Sequence, residues 1–159
     1  MTFSLRSDMF ENEKPMPALC TCDGAQTSPA LAWDGVPDGT KSFALIVDDP
    51  DAPDPAAPKM TFVHWVLFNL PPDLKSLPAG VKTLPSGVGE GLNDRKQTGY
   101  TGPCPPIGTH RYFHKLYALD AMLALKGTPT KAELEAAMQG HILGQAVLMG
   151  TYKHPAGKR

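Results

Sequence analysis

Two aspartates, two histidines and a tyrosine interrupt apolar segments of this chain, and their types and spacing are those that could do chemistry. Asp49 and Asp51 flank Pro50, His64 stands inside Phe62-Val63-His64-Trp65-Val66, and His110 alternates with Tyr112 in Thr109-His110-Arg111-Tyr112-Phe113-His114. An imidazole or carboxylate inside an apolar strand costs free energy unless it meets a partner, so the economical solution is that the three clusters meet one another. Taken singly, His64 reads as a satisfied core histidine and Asp49-Pro50-Asp51 as a turn. What points to a site is that all three lie at strand centres or ends beside proline-locked loops.

Capture of a small anion is one chemistry with which such a set is compatible. Imidazoles, the Tyr112 hydroxyl and backbone N–H groups can donate to a phosphate, and the two carboxylates would hold the imidazoles charged and oriented. Anion binding would then weaken as pH rises through the histidine titration. Two aspartates and two histidines could instead hold a divalent metal for hydrolysis, but no His-x-x-x-His or Glu-bearing helix supports that. Cys104, set between Pro103 and Pro105, could be imagined as a nucleophile; nothing nearby would lower its pKa, and a packing role is the plainer expectation.

The elements that must position these groups follow from patterning. Residues 102–108, Gly-Pro-Cys-Pro-Pro-Ile-Gly, cannot be helix or interior strand and form a stiff loop. It leads into a strand with His110, Tyr112 and His114 on one face and Arg111, Phe113 and Lys115 on the other. Thr61 to Leu70 reads as a central strand, with Phe62, His64, Val66 and Phe68 on one face and Val63, Trp65 and Leu67 on the other. Lys41 to Asp48 reads as a buried strand that breaks at Asp48-Asp49-Pro50-Asp51-Ala52-Pro53. Thr130 and Glu133 form a capping box for a helix ended by Gly140. Residues 142–152 read either as a short helix passing into a strand or as strand throughout, and 86–91 as a flexible surface connection.

Composition narrows the class. A chain of 159 residues is most simply one domain, 1–159. A formal net charge of -1 indicates neither a nucleic-acid surface nor a polybasic membrane patch. Seventeen prolines and fifteen glycines without a repeat suggest short strands joined by shaped loops. No stretch approaches the roughly 18 apolar residues of a membrane span, and the N-terminus lacks a signal-peptide pattern, so a cytoplasmic location is expected. Cys20, Cys22 and Cys104 are then expected as free thiols.

Asp49-Pro50-Asp51-Ala52-Pro53, His64-Trp65 leading into Asn69-Leu70-Pro71, and Gly102-Pro103-Cys104-Pro105-Pro106 through Gly108-Thr109-His110-Arg111-Tyr112 resemble the signature blocks of the phosphatidylethanolamine-binding protein family. The bacterial and archaeal branch, often called Raf-kinase-inhibitor-like, is the closer match. The resemblance extends over Thr21 to Gly24, Asn93-Asp94 and the tail from Gly140 to Tyr152. It implies a mainly β fold: an antiparallel, two-sheet Greek-key sandwich with one or two peripheral helices.

The resemblance also implies an anion pocket for phosphate or a phosphoethanolamine-like head group. Its ligand-binding residues here would be Asp49, Asp51, His64, Gly102, Pro103, Gly108, His110 and Tyr112, with no catalytic residue, metal or cofactor. Inhibition of a protein kinase or a serine protease through the surface is the alternative activity; such a partner is not specified by these blocks, and a homodimer is compatible with them. Two positions depart from the branch. His114 stands where an aromatic or aliphatic residue is usual, either below Tyr112 or facing solvent, and Arg95 stands where an aromatic is common. The C-terminal helix that helps close the pocket in eukaryotic members has no counterpart after Tyr152, which implies a more open mouth.

Overall fold

The computed structural model describes residues 2–153. Strands β1 (Ser4–Arg6), β2 (Lys14–Pro15), β3 (Leu31–Asp34), β4 (Ser42–Ala52), β5 (Met60–Leu70), β6 (Ser76–Leu77), β7 (Gly89–Glu90), β8 (Thr109–Leu119) and β9 (Ile142–Lys153) form two sheets. The small one runs β1-β3-β6 and the large one β2-β9-β8-β4-β5-β7. All pairings are antiparallel except β2 with β9. The mainly β, two-sheet architecture expected from the sequence is therefore present, with one α-helix, α1 (Lys131–Met138), outside the sheets.

The strands alternate because each face of the large sheet is buried against something different. Phe43, Leu45 and Val47 of β4, with Trp65, Leu67 and Leu116, meet Leu5, Trp33 and Leu77 of the small sheet. Ala44 and Ile46 face the other way, toward Leu134 and Met138 of α1. Those two helix residues lie four apart, one turn along the buried stripe of an otherwise polar helix. Thr130 and Glu133 close the expected capping box, and Gly140 takes the positive φ that ends the helical segment.

Three local expectations change. β4 does not stop at Asp48 but continues to Ala52, because register shifts after Val47 and after Asp49 let the strand absorb Pro50 and keep pairing. Residues 142–153 are strand throughout. Gly150 is needed there because a Cβ would lie 2.5 Å from the Met16 side chain. The segment 86–91 is no free loop either: Gly89 pairs with Phe68, and a Cβ on it would fall within 2.2 Å of the Phe68 ring. The expectation about the chain after Tyr152 concerns mainly residues 154–159, which lie outside the described residues.

Candidate functional site

The end of β4 and the starts of β5 and β8 open at one edge of the sandwich, where the segment 102–106 crosses them. They enclose a cavity of about 490 Å³ whose wall includes Asp49, His64, Gly102, His110 and Tyr112. The three polar clusters singled out in the sequence are thus brought together. Pro53, Phe62, Pro105 and Pro106 supply apolar wall, and the exposed Lys59, Met60 and Arg95 stand at the mouth.

His64 reaches the cavity through a β-bulge. Val47 pairs with Trp65 and Asp48 with Val63, so His64 has no residue opposite it in β4. The extra residue re-aims the imidazole. Instead of sharing a face with Val66 and Phe68, it meets the ring of Tyr112 at 5.2 Å, on the side of the sheet that carries Trp65 and Leu67. Its Nδ1–H donates to the Thr101 carbonyl at 2.7 Å, and Thr101 N–H returns a bond to the His64 carbonyl at 3.0 Å. Burial lowers the His64 pKa from 6.5 to about 4. The expectation of a charged His64 is therefore corrected: desolvation outweighs the neighbouring carboxylates, and the ring is neutral.

His110 is also differently engaged. Its Nε2–H donates to the carbonyls of Ile107 at 2.9 Å and Pro53 at 3.1 Å. One further proton is held between its Nδ1 and Asp49 Oδ2, which are 2.6 Å apart. The pair carries no net charge whichever atom holds that proton. Asp49 Oδ1 accepts from Asp51 N–H at 2.7 Å, so both carboxylate oxygens are occupied. Burial pushes the Asp49 carboxyl above the usual range, against the opposing hydrogen bond to His110. His110 thus braces the loop and has no ring N–H left for an anion.

Asp51 does not line the cavity. The turn at Asp49 sends its side chain to Arg111, whose Nε and Nη2 donate to it at 2.9 Å each, and Arg111 N–H adds a third bond. That fork holds the Asp51 carboxyl below its ordinary value. Pro103 and Gly108 are likewise outside the wall: the Pro103 carbonyl accepts from Cys22 N–H, and Gly108 turns at positive φ beside Pro55. Gly102 lines the cavity, but its N–H donates to Gln26 Oε1 at 3.0 Å. The loop amide counted on for an anion is spent on the N-terminal segment.

Cys22 and Cys104 are joined in a disulfide, correcting the expectation of free thiols; Cys20 is free, and burial pushes its thiol up to about 11. An odd cysteine count and a sequence separation of 82 left no sequence signal for this pairing. The bond fastens the cavity wall at Cys104 to the segment around Thr21. His114, the first departure from the branch, is fully buried below Tyr112, with Nδ1–H shared between the carbonyls of Tyr112 and Leu148 and Nε2 unpartnered. Sequence reasoning missed Lys59 as a site residue; it noted Arg95 only as a departure.

Two polar atoms of the wall remain available. Neither the Tyr112 hydroxyl nor Nε2 of His64 meets a hydrogen-bond partner among the described residues, and neither is sealed from the cavity. Burial raises the Tyr112 pKa, so its hydroxyl stays protonated and can donate. Among the described residues no group of three or more His, Cys, Asp or Glu side chains is arranged to hold a metal ion.

The profile of the family described as phosphatidylethanolamine-binding protein matches residues 6–153. A relative from Methanothermobacter thermautotrophicus, called UPF0098 protein, is 47% identical over 153 residues, covering 94% of this chain and 98% of its own. A phosphatidylethanolamine-binding protein homologue from Chlamydia trachomatis superposes with a TM-score of 0.89 at 38% identity, covering 97% of this chain and 99% of that one. Escherichia coli YbcL, described as a new member of the mammalian family, gives a TM-score of 0.88 at 30% identity over 98% of this chain and 100% of that one. The chain belongs to the phosphatidylethanolamine-binding protein family.

Proposed function

We propose that the chain is a binding protein for a small anionic, phosphorylated ligand seated in the cavity between Asp49, His64 and Tyr112. The observation that carries this reading is the pairing of two polar atoms open to a mainly apolar cavity with two cations at its mouth. The Tyr112 hydroxyl can donate to an oxyanion, and Lys59 and Arg95 can meet its charge. Asp49 and His110 serve this site by holding the loop, since their polar atoms are committed to each other and to the backbone. A binding role also suits a cavity whose wall offers no activated nucleophile: Cys104 is tied up as a disulfide, and the Tyr112 hydroxyl is held protonated.

The cytoplasmic location expected from the sequence stands against the Cys22–Cys104 bond, because disulfides persist mainly in oxidising compartments. Among the described residues no helix is long and apolar enough to cross a membrane.

The test is calorimetric titration with inorganic phosphate and phosphoethanolamine, repeated on Tyr112→Phe. Millimolar or tighter binding that weakens in the variant is expected. Absence of binding by the wild type, or a Tyr112→Phe protein that binds as well, would contradict the reading.

A further inference from the structure

We propose that the cavity takes its oxyanion in a form that still carries an acidic hydrogen, the monoanion of a phosphomonoester. The ligand O–H donates to Nε2 of His64, while the negative charge faces Lys59 and Arg95. This rests on the anion-binding reading above and names the protonation state that the site selects.

The geometry at His64 fixes the direction of that hydrogen bond. A carbonyl oxygen can only accept, so the 2.7 Å contact with Thr101 puts the ring proton on Nδ1. In a neutral ring Nε2 is then a bare lone pair, and it is open to the cavity. An unprotonated phosphate oxygen placed against it would set lone pair against lone pair at a desolvated position; an O–H there makes a hydrogen bond instead.

No charge around the ring reverses this. From β4, Asp48 is met by Lys115 at 3.1 Å and Lys131 at 2.7 Å, and Asp49 is tied into the neutral pair with His110. Asp94 and Arg95 face the ring from the segment after β7, and His114, also neutral with a pKa of about 4, lies near it on β8. Among the described residues Lys59 and Arg95 are the only Lys or Arg of the cavity wall, and both are exposed at its mouth. The inner wall therefore offers one acceptor and, at Tyr112, one donor, while the full positive charges sit outside. A phosphomonoester monoanion satisfies both inner groups and the rim; its dianion satisfies Tyr112 and the rim but leaves the His64 lone pair facing an oxygen that cannot donate.

The test titrates the full chain with phenyl phosphate by calorimetry between pH 5.5 and 8, a window above the His64 value of about 4. The second ionisation of a phosphomonoester falls near pH ~6, and above it affinity is expected to drop about tenfold per pH unit. A more acidic difluoromethylphosphonate analogue should move the break to lower pH, because the break belongs to the ligand. Methyl phenyl phosphate, singly charged but without an O–H, should bind at least about tenfold more weakly at pH ~5.5, the loss expected for an unmet buried acceptor.

A break that stays at one pH for phenyl phosphate and the phosphonate alike would assign the titration to the protein and overturn the proposal. So would affinity that is flat or rises with pH, or a diester that binds equally well. Binding by none of these ligands would overturn the anion-binding reading itself. The double variant Lys59→Gln with Arg95→Gln should weaken phenyl phosphate at every pH without moving the break; an unweakened double variant would remove the role given to the rim.

Discussion

His64 and Thr101 exchange two hydrogen bonds, imidazole Nδ1–H to the Thr101 carbonyl at 2.7 Å and Thr101 N–H to the His64 carbonyl at 3.0 Å. The pair docks the start of the 101–106 segment onto a residue of β5 that a bulge leaves without a partner in β4. A single extra residue thereby both frees the backbone of His64 for the loop and turns its ring into the cavity.

Acid should unfold this protein through its buried histidines. His64 and His114 are both lowered from 6.5 to about 4 by burial. The unfolded chain thus binds their protons first as pH falls. Their neutral forms contribute stability that is present above pH 6.5 and is lost progressively as pH falls toward 4, up to about 3 kcal/mol for each. Urea unfolding midpoints measured between pH 7 and pH ~4.5 should decline accordingly. A midpoint unchanged over that range would show that neither ring is held neutral.

His114→Phe separates the two contributions. Nε2 of His114 is buried without a partner, so an apolar ring of similar shape removes an unsatisfied atom while losing the Nδ1–H bond to the Tyr112 and Leu148 carbonyls. Stability at pH ~7 should change by no more than about 1 kcal/mol, and roughly half the acid sensitivity should disappear. Loss of several kcal/mol at neutral pH would mean that the imidazole has a structural bond not seen here.

The two aspartates flanking Pro50 should behave differently when replaced. Asp51→Asn loses part of the fork with Arg111, a cost of about 1–2 kcal/mol, and should leave phosphate affinity as it was, because the side chain points away from the cavity. Asp49→Ala strips His110 Nδ1 and Asp51 N–H of their acceptor in a buried position, and should cost about 2–4 kcal/mol. Equal effects of the two on ligand titration would show that Asp51 reaches the ligand.

That contrast marks how far the sequence could be read. Alternation in Thr109–Leu119 correctly separated His110 and Tyr112 from Arg111, and Thr130 with Glu133 announced α1, because both patterns are local. The gathering of Asp49, His64 and His110 followed from the cost of burying them alone. The rest was set by events that period-2 counting cannot see. A bulge at His64 changes the face without changing the composition of the strand, and the turn at Asp49 points Asp51 at the opposite face of β8. Desolvation decided the charge of His64, and burial cannot be read from a residue's neighbours in sequence. Lys59 and Arg95 meet only at the mouth of the folded cavity.

The wall at 102–106 depends on its tie to the N-terminal segment. The disulfide joins positions 82 apart, Cys22 N–H donates to the Pro103 carbonyl, and Gly102 approaches so closely that a Cβ on it would lie 2.5 Å from the Cys20 carbonyl oxygen. Replacing both Cys22 and Cys104 by Ser should cost about 2–4 kcal/mol through the unfolded chain, and hydrogen exchange should quicken in 99–106 and 18–26 together. Gly102→Ala keeps the disulfide but forces the two backbones apart, so it should weaken phosphate binding while the bond remains intact by mass. If Gly102→Ala binds phosphate as tightly as the wild type, the close packing of the two segments is not what shapes the cavity, and the covalent bond alone must hold its wall.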